Sequence, residues 1–533
     1  MKFELRWWQT GIVYEIYPRS FADANGDGVG DLAGITARLG YLAWLGVDAI
    51  WLAPFYPSPM DDFGYDVTDH TDVDPLFGTL EDFDRLLTTA HRLGIRVIVD
   101  YIPNHTSDRH PWFVESRSSR DHPKRDWYVW RDARADGSPP NNWISMFGGP
   151  AWTWDEATGQ YYLHSFLASQ PDLNWRKPEA RAAMLAVLRF WLDRGVDGFR
   201  IDVAQFVAKD PELRDNPPNP EPDRLAWLGE WSHQLHLYDH GHPDMHAIYR
   251  EIRRLVDAYP GHRVIIGELH HPDFDIWARF YGEELDEIHL PFNFHILHAP
   301  WDAASLRTVI GSVLAALPVG AHANWVFGNH DQPRIASRVG RAQARVVMML
   351  LLTLPGAPTI YYGEEIGMVN VAVPRERARD PWGLVEPTQS RDPERSPMQW
   401  DASPNAGFCP SGVEPWLPIA PDATTVNVAA QRDEPSSTLA LTRGLISMRR
   451  EHPVLARGGL RLIEDTPDGT LVFHRESEAG RVLVALNLTD GPRELSIAAA
   501  GTVLIGTLAD TNRKSVGPTL QLRPNEGLVV EER

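Results

Sequence analysis

Short strand-like runs alternate with helical segments along most of the chain, and this alternation constrains the fold more than any other feature. Eight runs are rich in β-branched and aromatic residues, and turn or loop residues separate them from the helical segments. They are residues 12–18, 49–55, 96–103, 198–204, 263–269, 287–293, 325–331 and 358–365. Strand and helix alternating eight times predict an α/β protein with a closed parallel (β/α)8 TIM barrel. A doubly wound open sheet is the alternative, although no GxGxxG pattern follows the first run.

Two regions depart from the alternation and predict accessory domains. Residues 104–176, between the third strand and its helix, are rich in Pro, Trp and Asp and far longer than an ordinary connection. After residue 457 the pattern changes to short alternating runs separated by Asp-Gly turns, as an antiparallel sheet requires. We therefore expect a catalytic barrel (1–103 and 177–457), an inserted subdomain after strand 3 (104–176) and a C-terminal antiparallel β-sandwich domain (458–533).

Charge and composition exclude several classes of function. The net charge of −21 would repel a phosphate backbone, so nucleic acid is not an expected partner. The single cysteine, Cys409, excludes an intramolecular disulfide or a multi-cysteine metal site. The N-terminus has no signal-peptide pattern, and the longest strongly apolar run, residues 346–354, is far shorter than the roughly 20 residues that span a bilayer. We expect a cytoplasmic location and no membrane partner; the oligomeric state stays open.

Charged residues cluster at the carboxyl ends of the predicted strands. His105 follows the third strand, Arg200 and Asp202 lie in the fourth, Glu268 closes the fifth, and residues 329–331 (Asn-His-Asp) close the seventh. In a parallel barrel these ends meet at one mouth. Each residue alone could form an ion pair or a helix cap, but acidic groups gathered at one mouth repel each other unless a substrate or a proton compensates. The set predicts an active site.

Two of these carboxylates are suited to different roles. Arg200 and Asp202 are two residues apart on a strand, so their side chains point the same way, and the guanidinium would keep Asp202 ionised as a nucleophile. Glu268 ends an apolar strand, where burial would raise its pKa and favour a proton donor.

Six motifs at these positions resemble glycoside hydrolase family 13, the α-amylase family, in its α-glucosidase and oligo-1,6-glucosidase branch. The motifs are DYIPNH (100–105), QPDLNW (170–175), GFRIDVA (198–204), GE (267–268), GNHDQPR (328–334) and RSPMQWD (395–401). The resemblance runs from about residue 7 to the C-terminus. It implies that Asp202 is the nucleophile, Glu268 the general acid/base, and Asp331 a third carboxylate that binds sugar hydroxyls and stabilises the transition state.

The same resemblance implies a site for one terminal glucose. Asp62 and Tyr65 match the pair that grips this sugar, and His105, Arg200, His330 and Arg395 complete its subsite. Phe147, Phe166 and Phe206 are candidate walls of the neighbouring subsites, although each is as easily a core residue.

The implied reaction is hydrolysis with retention of configuration, in two steps through a glucosyl-enzyme. We expect an exo-acting α-glucosidase that releases glucose from the non-reducing end of short α-glucosides. Val203, directly after the nucleophile, resembles enzymes that cleave α-1,6 bonds, as in isomalto-oligosaccharides. Phe63, the 204–242 stretch and the loop at 374–395 depart from the usual form of this branch, and they leave the choice between α-1,6 and α-1,4 bonds open.

Three other functions remain as alternatives. A glucosyl transferase or an isomerase acting on sucrose or trehalose would use the same catalytic residues. The non-catalytic heavy chains of amino-acid transporters resemble this family but carry no complete catalytic set. A carbohydrate-binding module would need neither a nucleophile nor a proton donor.

An acidic loop, DANGDGVGD, predicts a structural calcium ion. Its oxygen-bearing residues fall at every second position, as a hard cation in a tight loop requires. By spacing and by the family resemblance, the ligands would be Asp23, Asn25, Asp27, Asp31 and the carbonyl of Val29. Gly34 stands where a helix-loop-helix calcium site has its bidentate Glu, so the loop is of a different type, and a solvated acidic turn is the alternative.

Overall fold

Eight parallel strands form a closed barrel, which confirms the predicted fold class. The computed structural model describes residues 5–497 and 499–532, apart from the side chains of residues 223–228. In chain order of the whole molecule the barrel strands are β1 (Val13–Ile16), β2 (Ala49–Leu52), β3 (Arg96–Tyr101), β7 (Gly198–Ile201), β8 (Val264–Gly267), β9 (Leu290–Asn293), β10 (Asn324–Val326) and β11 (Ala357–Tyr361). Each predicted run contains most of one strand. Most strands end before the predicted run does, because the last residues of the run belong to the loops at the barrel mouth.

Helices surround the barrel and begin and end at residues suited to that position. The helices are α1 (Pro18–Phe21), α2 (Leu32–Leu45), α3 (Leu80–Arg92), α4 (Pro111–Ser118), α5 (Pro178–Arg194), α6 (Asp244–Asp257), α7 (Phe274–Arg279), α8 (Phe294–His298), α9 (Ala303–Ala316), α10 (Ile335–Thr353), α11 (Pro381–Val385), α12 (Val428–Arg432), α13 (Thr438–Glu451) and α14 (Pro453–Arg457). Thr79 and Asp82 cap α3 reciprocally, and Gly195 ends α5 with a φ of 105°. Among the helices described here, none is long and apolar enough to cross a membrane.

The interior of the barrel is filled by side chains. Trp51, Ile98, Val264, Phe292 and Val326 point inward from five different strands and form one buried cluster. The barrel is therefore a packed core rather than a channel, and only its ends are accessible to a ligand.

The segment after β3 carries a small antiparallel sheet of β4 (Trp130–Arg131), β6 (Gln160–Leu163) and β5 (Trp152–Asp155). A buried ion pair joins this segment to the barrel, with Lys209 Nζ 2.6 Å from Asp172 Oδ2. Because Lys209 lies only seven residues beyond Asp202 in the sequence, this contact holds the inserted segment beside the barrel mouth.

The C-terminal region is an antiparallel β structure, as predicted. Six strands form one sheet: β12 (Gly459–Ile463), β13 (Thr470–Ser477), β14 (Gly480–Asn487), β19 (Gly527–Glu532), β16 (Gly501–Gly506) and β17 (Ser515–Val516). The second sheet pairs β15 (Arg493–Ser496) with β18 (Thr519–Leu522). Leu495 and Leu520 of the second sheet pack against Leu483 and Val530 of the first in one buried cluster.

Candidate active site

Strand register places the two central carboxylates side by side. Ile201 of β7 is paired with Gly267 of β8, so Asp202 and Glu268, the next residues, lie opposite each other at the mouth. Arg200 lies between them: Nη1 is 2.8 Å from Asp202 Oδ1, and Nη2 is 2.6 Å from Glu268 Oε2. All three side chains are buried. The strand ends therefore bring two acids and one guanidinium together, as expected from the sequence.

In the free site the electrostatics favour charge on Glu268 over Asp202, the reverse of the order that the reaction needs. Burial raises the pKa of Asp202 well above its usual range; Arg200 opposes this, and the charges of Glu268 and Asp100 add to it. Burial also raises the pKa of Glu268, but Arg200 and His270 outweigh it and hold that pKa at about 2. The two groups differ in their neighbours, because His270 is a further partner of Glu268 whereas the charges of Glu268 and Asp100 act on Asp202.

The turn after the nucleophile position is strained. Val203 has φ 37° and ψ 52°, the left-handed region that β-branched residues avoid at a cost of roughly 1–3 kcal/mol. This turn points the Val203 amide at Glu268 and starts the short 3₁₀ helix Ala204–Phe206. Half-buried Val203 thus lies directly beside both carboxylates.

One side of the site is built from stacked rings and buried acids. Tyr65 and His330 stack with ring centroids 5.6 Å apart, and the Tyr65 hydroxyl is 2.8 Å from His330 Nε2. His330 Nδ1 is 2.6 Å from Glu15 Oε1. The Tyr65 hydroxyl also donates to Asp100, which in turn accepts from Arg200 at 3.0 Å. These contacts fix both rings beside the carboxylate pair.

Asp331 lies at the same mouth and is held by two arginines. Arg395 Nη2 is 2.7 Å from Asp331 Oδ1, and Arg391 Nη1 is 3.3 Å from the same oxygen. Burial raises the pKa of Asp331, but His330, Arg391 and Arg395 outweigh it and hold the pKa far below its usual range. The Asp331 side chain is 26% exposed, so an ionised carboxylate is accessible from the mouth.

Arg391 closes the far side of the site. Its Nη2 is 2.8 Å from Asp62 Oδ1 and 2.6 Å from Asp380 Oδ1. Asp62 also accepts from Gln170 at 3.0 Å, and the Gln170 amide is 3.2 Å from His105 Nε2. Two carboxylates and one guanidinium thus form a buried polar cluster on this side of the site.

Aromatic rings line the approach from the inserted segment. Phe166 lies with its ring centroid 5.3 Å from that of His105 and 5.2 Å from that of Phe206. Phe147 is 6.2 Å from Phe166 and 5.3 Å from Trp382 on α11, which comes from the opposite side of the mouth. The three predicted phenylalanines form a continuous row, and Trp382 extends it.

Sequence reasoning missed Arg391, Gln170, His270 and Trp382. It named only Arg395 in the loop at 374–395 as a site residue, but Arg391 of the same loop contacts both Asp62 and Asp331. Gln170 begins the QPDLNW motif, so that motif also pointed to the site.

The acidic loop at 23–31 is a compact turn whose side chains bind its own backbone. Asp23 accepts from the amides of Gly26 (2.6 Å) and Gly28 (2.8 Å), and Asp27 accepts from Val29 (2.8 Å). Asp31 caps helix α2 through Gly34. In the range that the structure describes, no group of three or more His, Cys, Asp or Glu side chains is placed to hold a metal ion. The donor set of Asp and Asn oxygens still has the chemistry of a calcium ligand set.

Comparison with known proteins identifies the family of the chain. The family model for the α-amylase catalytic domain matches residues 15–458. A probable α-glucosidase of Rhizobium meliloti (strain 1021) is 44% identical over 501 residues, covering 91% of this chain and 90% of that protein. An oligo-1,6-glucosidase of Heyndrickxia coagulans is 38% identical over 568 residues, covering 98% and 99%.

Solved structures show the same architecture over the whole chain. An α-glucosyl transfer enzyme, XgtA, superposes with a TM-score of 0.93 at 41% identity, covering 99% of this chain and 100% of that one. The trehalulose synthase MutB of Pseudomonas mesoacidophila MX-45 has a TM-score of 0.90 at 34% identity, with the same coverage. This chain therefore belongs to the α-amylase family of glycoside hydrolases, family 13, in its α-glucosidase and oligo-1,6-glucosidase branch.

Proposed function

We propose that the protein is a retaining, exo-acting α-glucosidase that releases glucose from the non-reducing end of short α-glucosides. The observation that carries the proposal is the pairing of Ile201 with Gly267, which sets Asp202 and Glu268 side by side around one guanidinium. Neighbouring strands lie about 4.8 Å apart. A retaining mechanism needs its two carboxyl groups about 5–5.5 Å apart, whereas an inverting one needs room for a water molecule.

Each of the three acids has a distinct role in this mechanism. Asp202 attacks the anomeric carbon while Glu268 protonates the departing oxygen, and Glu268 then activates water against the glucosyl-enzyme. Asp331, ionised and partly exposed, binds sugar hydroxyls and balances the positive charge that develops on the ring. The reaction needs the proton on Glu268 and the negative charge on Asp202. The pKa shifts of the free site favour the opposite arrangement, so binding of the sugar has to reverse it.

The blocked end of the site supports exo action. The buried contacts of Arg391 with Asp62 and Asp380 would close the site beyond the terminal sugar. Tyr65, His105, His330 and Arg395 surround the same space, so one glucose ring would be held by polar groups on several sides. Phe147 and Phe166 would face the sugar on the leaving side of the bond.

The preference for α-1,6 bonds rests on Val203. This half-buried residue follows Asp202 and donates its amide hydrogen to Glu268, and one or two methyl groups at such a place change discrimination by about 1–3 kcal/mol. Heyndrickxia coagulans oligo-1,6-glucosidase is among the similar proteins, which supports this preference. A glucosyl transferase or isomerase is the second candidate, because the α-glucosyl transfer enzyme and the trehalulose synthase share the architecture.

A substrate panel tests these alternatives. Purified protein is incubated separately with isomaltose, maltose, sucrose, trehalose and a long α-glucan, and the products and their anomeric form are followed over time. We expect glucose to appear first as the α-anomer, fastest from isomaltose and slowly from the glucan. β-Glucose as the first product, or rapid internal cleavage of the glucan, would contradict the proposal. Isomerised disaccharide as the main product would favour the second candidate.

We also propose that the loop at 23–31 binds a structural calcium ion through Asp23, Asn25, Asp27, Asp31 and the Val29 carbonyl. The donor chemistry of these side chains supports the proposal. A bound ion would neutralise acidic side chains gathered in one short turn, and its role would be to stabilise the fold.

A further inference from the structure

The carboxyl group of Glu268 has three hydrogen-bond partners, and only one of them can change from donor to acceptor. Arg200 Nη2 lies 2.6 Å from Oε2, and the Val203 amide donates to the same oxygen at 3.0 Å. A guanidinium and a backbone N–H always donate. The third partner is His270, whose Nε2 lies 2.8 Å from Oε1. A histidine nitrogen donates or accepts according to where its proton lies.

On the basis of the function proposed above, we propose that His270 is a positioning residue that holds the proton which Glu268 delivers to the leaving oxygen. The pair then carries one proton during turnover, either as carboxylate and imidazolium or as carboxylic acid and neutral imidazole. Glu268 Oε1 is the oxygen that takes the proton, because its partner, His270 Nε2, can release a proton. Because the proton is shared across this hydrogen bond, activity follows the proton of the pair rather than that of Glu268 alone.

The surroundings of His270 fix its ring and leave one side open. The ring stacks on Phe294 at 4.4 Å with an interplanar angle of 12°, and the backbone amide donates to Gln205 Oε1 at 3.0 Å. The side chain is 33% exposed, so the ring can exchange protons with water. His270 is thus held against Glu268 on one side and reaches the mouth on the other.

The charges around the pair explain why a separate proton holder is needed. Arg200 lies on the opposite side of the Glu268 carboxyl, Asp202 and Asp331 lie beside it, and His298 of α8 faces His270. Burial raises the pKa of Glu268, but Arg200 and His270 together hold it at about 2. In the free site Glu268 is therefore ionised near neutral pH, and the proton that it delivers has to come from a neighbouring group.

The proton moves in a closed cycle. In the first step it passes from His270 Nε2 to Glu268 Oε1 and on to the glycosidic oxygen, as the C1–O bond breaks and a bond forms between Asp202 and C1. In the second step water attacks C1 and the bond to Asp202 breaks. The proton that water loses passes to Glu268 and back to His270, so both residues return to their starting state.

The test compares His270→Gln with His271→Gln, the same substitution one residue further on. kcat/KM is measured from pH 4 to 9 with isomaltose, which needs a proton on its leaving oxygen, and with α-glucosyl fluoride, whose leaving group needs little acid help. For His270→Gln we expect a loss of at least about 100-fold on isomaltose near pH 7 and a loss of less than about 10-fold on the fluoride. The basic limb of the isomaltose profile should move at least one pH unit toward acid.

The controls separate this inference from the proposed function and from a folding defect. His271→Gln should keep the wild-type profile, and thermal unfolding should show that both variants are folded. Added imidazole should restore part of the isomaltose activity to His270→Ala. A wild-type pH profile in His270→Gln, or equal losses on both substrates, would overturn the inference. If Glu268→Gln itself were active, the proposed function would fail instead.

Discussion

The two halves of the active site are built by different means. The first half, Arg200, Asp202 and Glu268, lies at the ends of neighbouring strands and is placed by hydrogen-bonded register. The second half, Asp62 and Arg391, comes from two loops that are 329 residues apart in sequence and joined by one buried ion pair. The strand half can hold reacting atoms within fractions of an ångström, whereas the loop half can vary without moving them. We infer that chemistry depends on the first half and recognition of the sugar end on the second.

The largest effect is expected from substitutions in the strand half. Asp202→Ala removes the nucleophile and Glu268→Gln removes the proton, so kcat on isomaltose should fall by about 10⁴ or more with the fold intact. Steady-state kinetics and thermal unfolding of the purified variants check this, with Asp193→Ala on the surface of α5 as the control. Near-normal turnover in either variant would remove its assigned role.

In the loop half, Arg391→Lys should lower kcat/KM by about 10²–10³, with more of the change in KM than in kcat. A lysine cannot reach Asp62, Asp380 and Asp331 together, so the substitution removes the guanidinium that bridges the three carboxylates. Arg375→Lys, an exposed position in the same loop, is the control. If the loss instead appeared in kcat alone, the division between the two halves would be wrong.

The stability of the protein should also depend on pH through Glu394, which lies in the same loop as Arg391. Burial raises the pKa of Glu394 from its ordinary value to about 8. Because the folded pKa lies above the unfolded one, the folded state keeps a proton that the unfolded state loses, and stability declines as pH rises from about 4.5 toward 8. The loss is about 1.4 kcal/mol per pH unit across that window.

Glu394→Gln should cancel this loss, because glutamine stays neutral at every pH. Relative to the wild type, the variant should gain unfolding temperature between pH 5 and pH 9, whereas Glu376→Gln at an exposed position should follow the wild type. Parallel curves for Glu394→Gln and the wild type would show that Glu394 is not held neutral.

A smaller effect is expected at the outer aromatic row. Trp382→Ala removes the contact with Phe147 across the mouth, so KM for isomaltotriose should rise about 3- to 10-fold with a smaller change in kcat. The comparison of isomaltose with isomaltotriose checks whether the ring contacts sugars beyond the scissile bond. An equal rise for both substrates would place the contact nearer the cleaved bond. Leu384→Ala, exposed on the same helix, is the control.

The smallest effect on turnover is expected from the loop at 23–31. Removal of calcium with a chelator should lower the unfolding temperature by a few degrees, while the enzyme that remains folded keeps most of its turnover. Differential scanning measurements with chelator and with added calcium check this. Asp27→Asn should weaken the response to calcium, and an unchanged unfolding temperature in the wild type would contradict a bound ion.

The sequence predicted the strand half well because parallel strand ends meet at one place. The structure brings Asp202, Glu268 and Asp331 to one mouth, and their catalytic roles stay predictions. The sequence could not predict the neighbours that act on Glu268, because His270 packs beside it only after β8 ends and the chain turns. Arg391 was also missed, because the residues of a loop have no regular spacing from which their contacts can be predicted. The calcium ion and the cytoplasmic location stay predictions.

The most direct measurement of the central claim is to trap the covalent intermediate. Glu268→Gln is incubated with α-glucosyl fluoride, because this substrate can form the glucosyl-enzyme without an acid, while the missing base slows its hydrolysis. Mass spectrometry of the digested protein should find one glucosyl group on the peptide that contains Asp202. A glucosyl group on any other residue, or turnover of the fluoride with no labelled peptide and β-glucose as first product, would contradict the account.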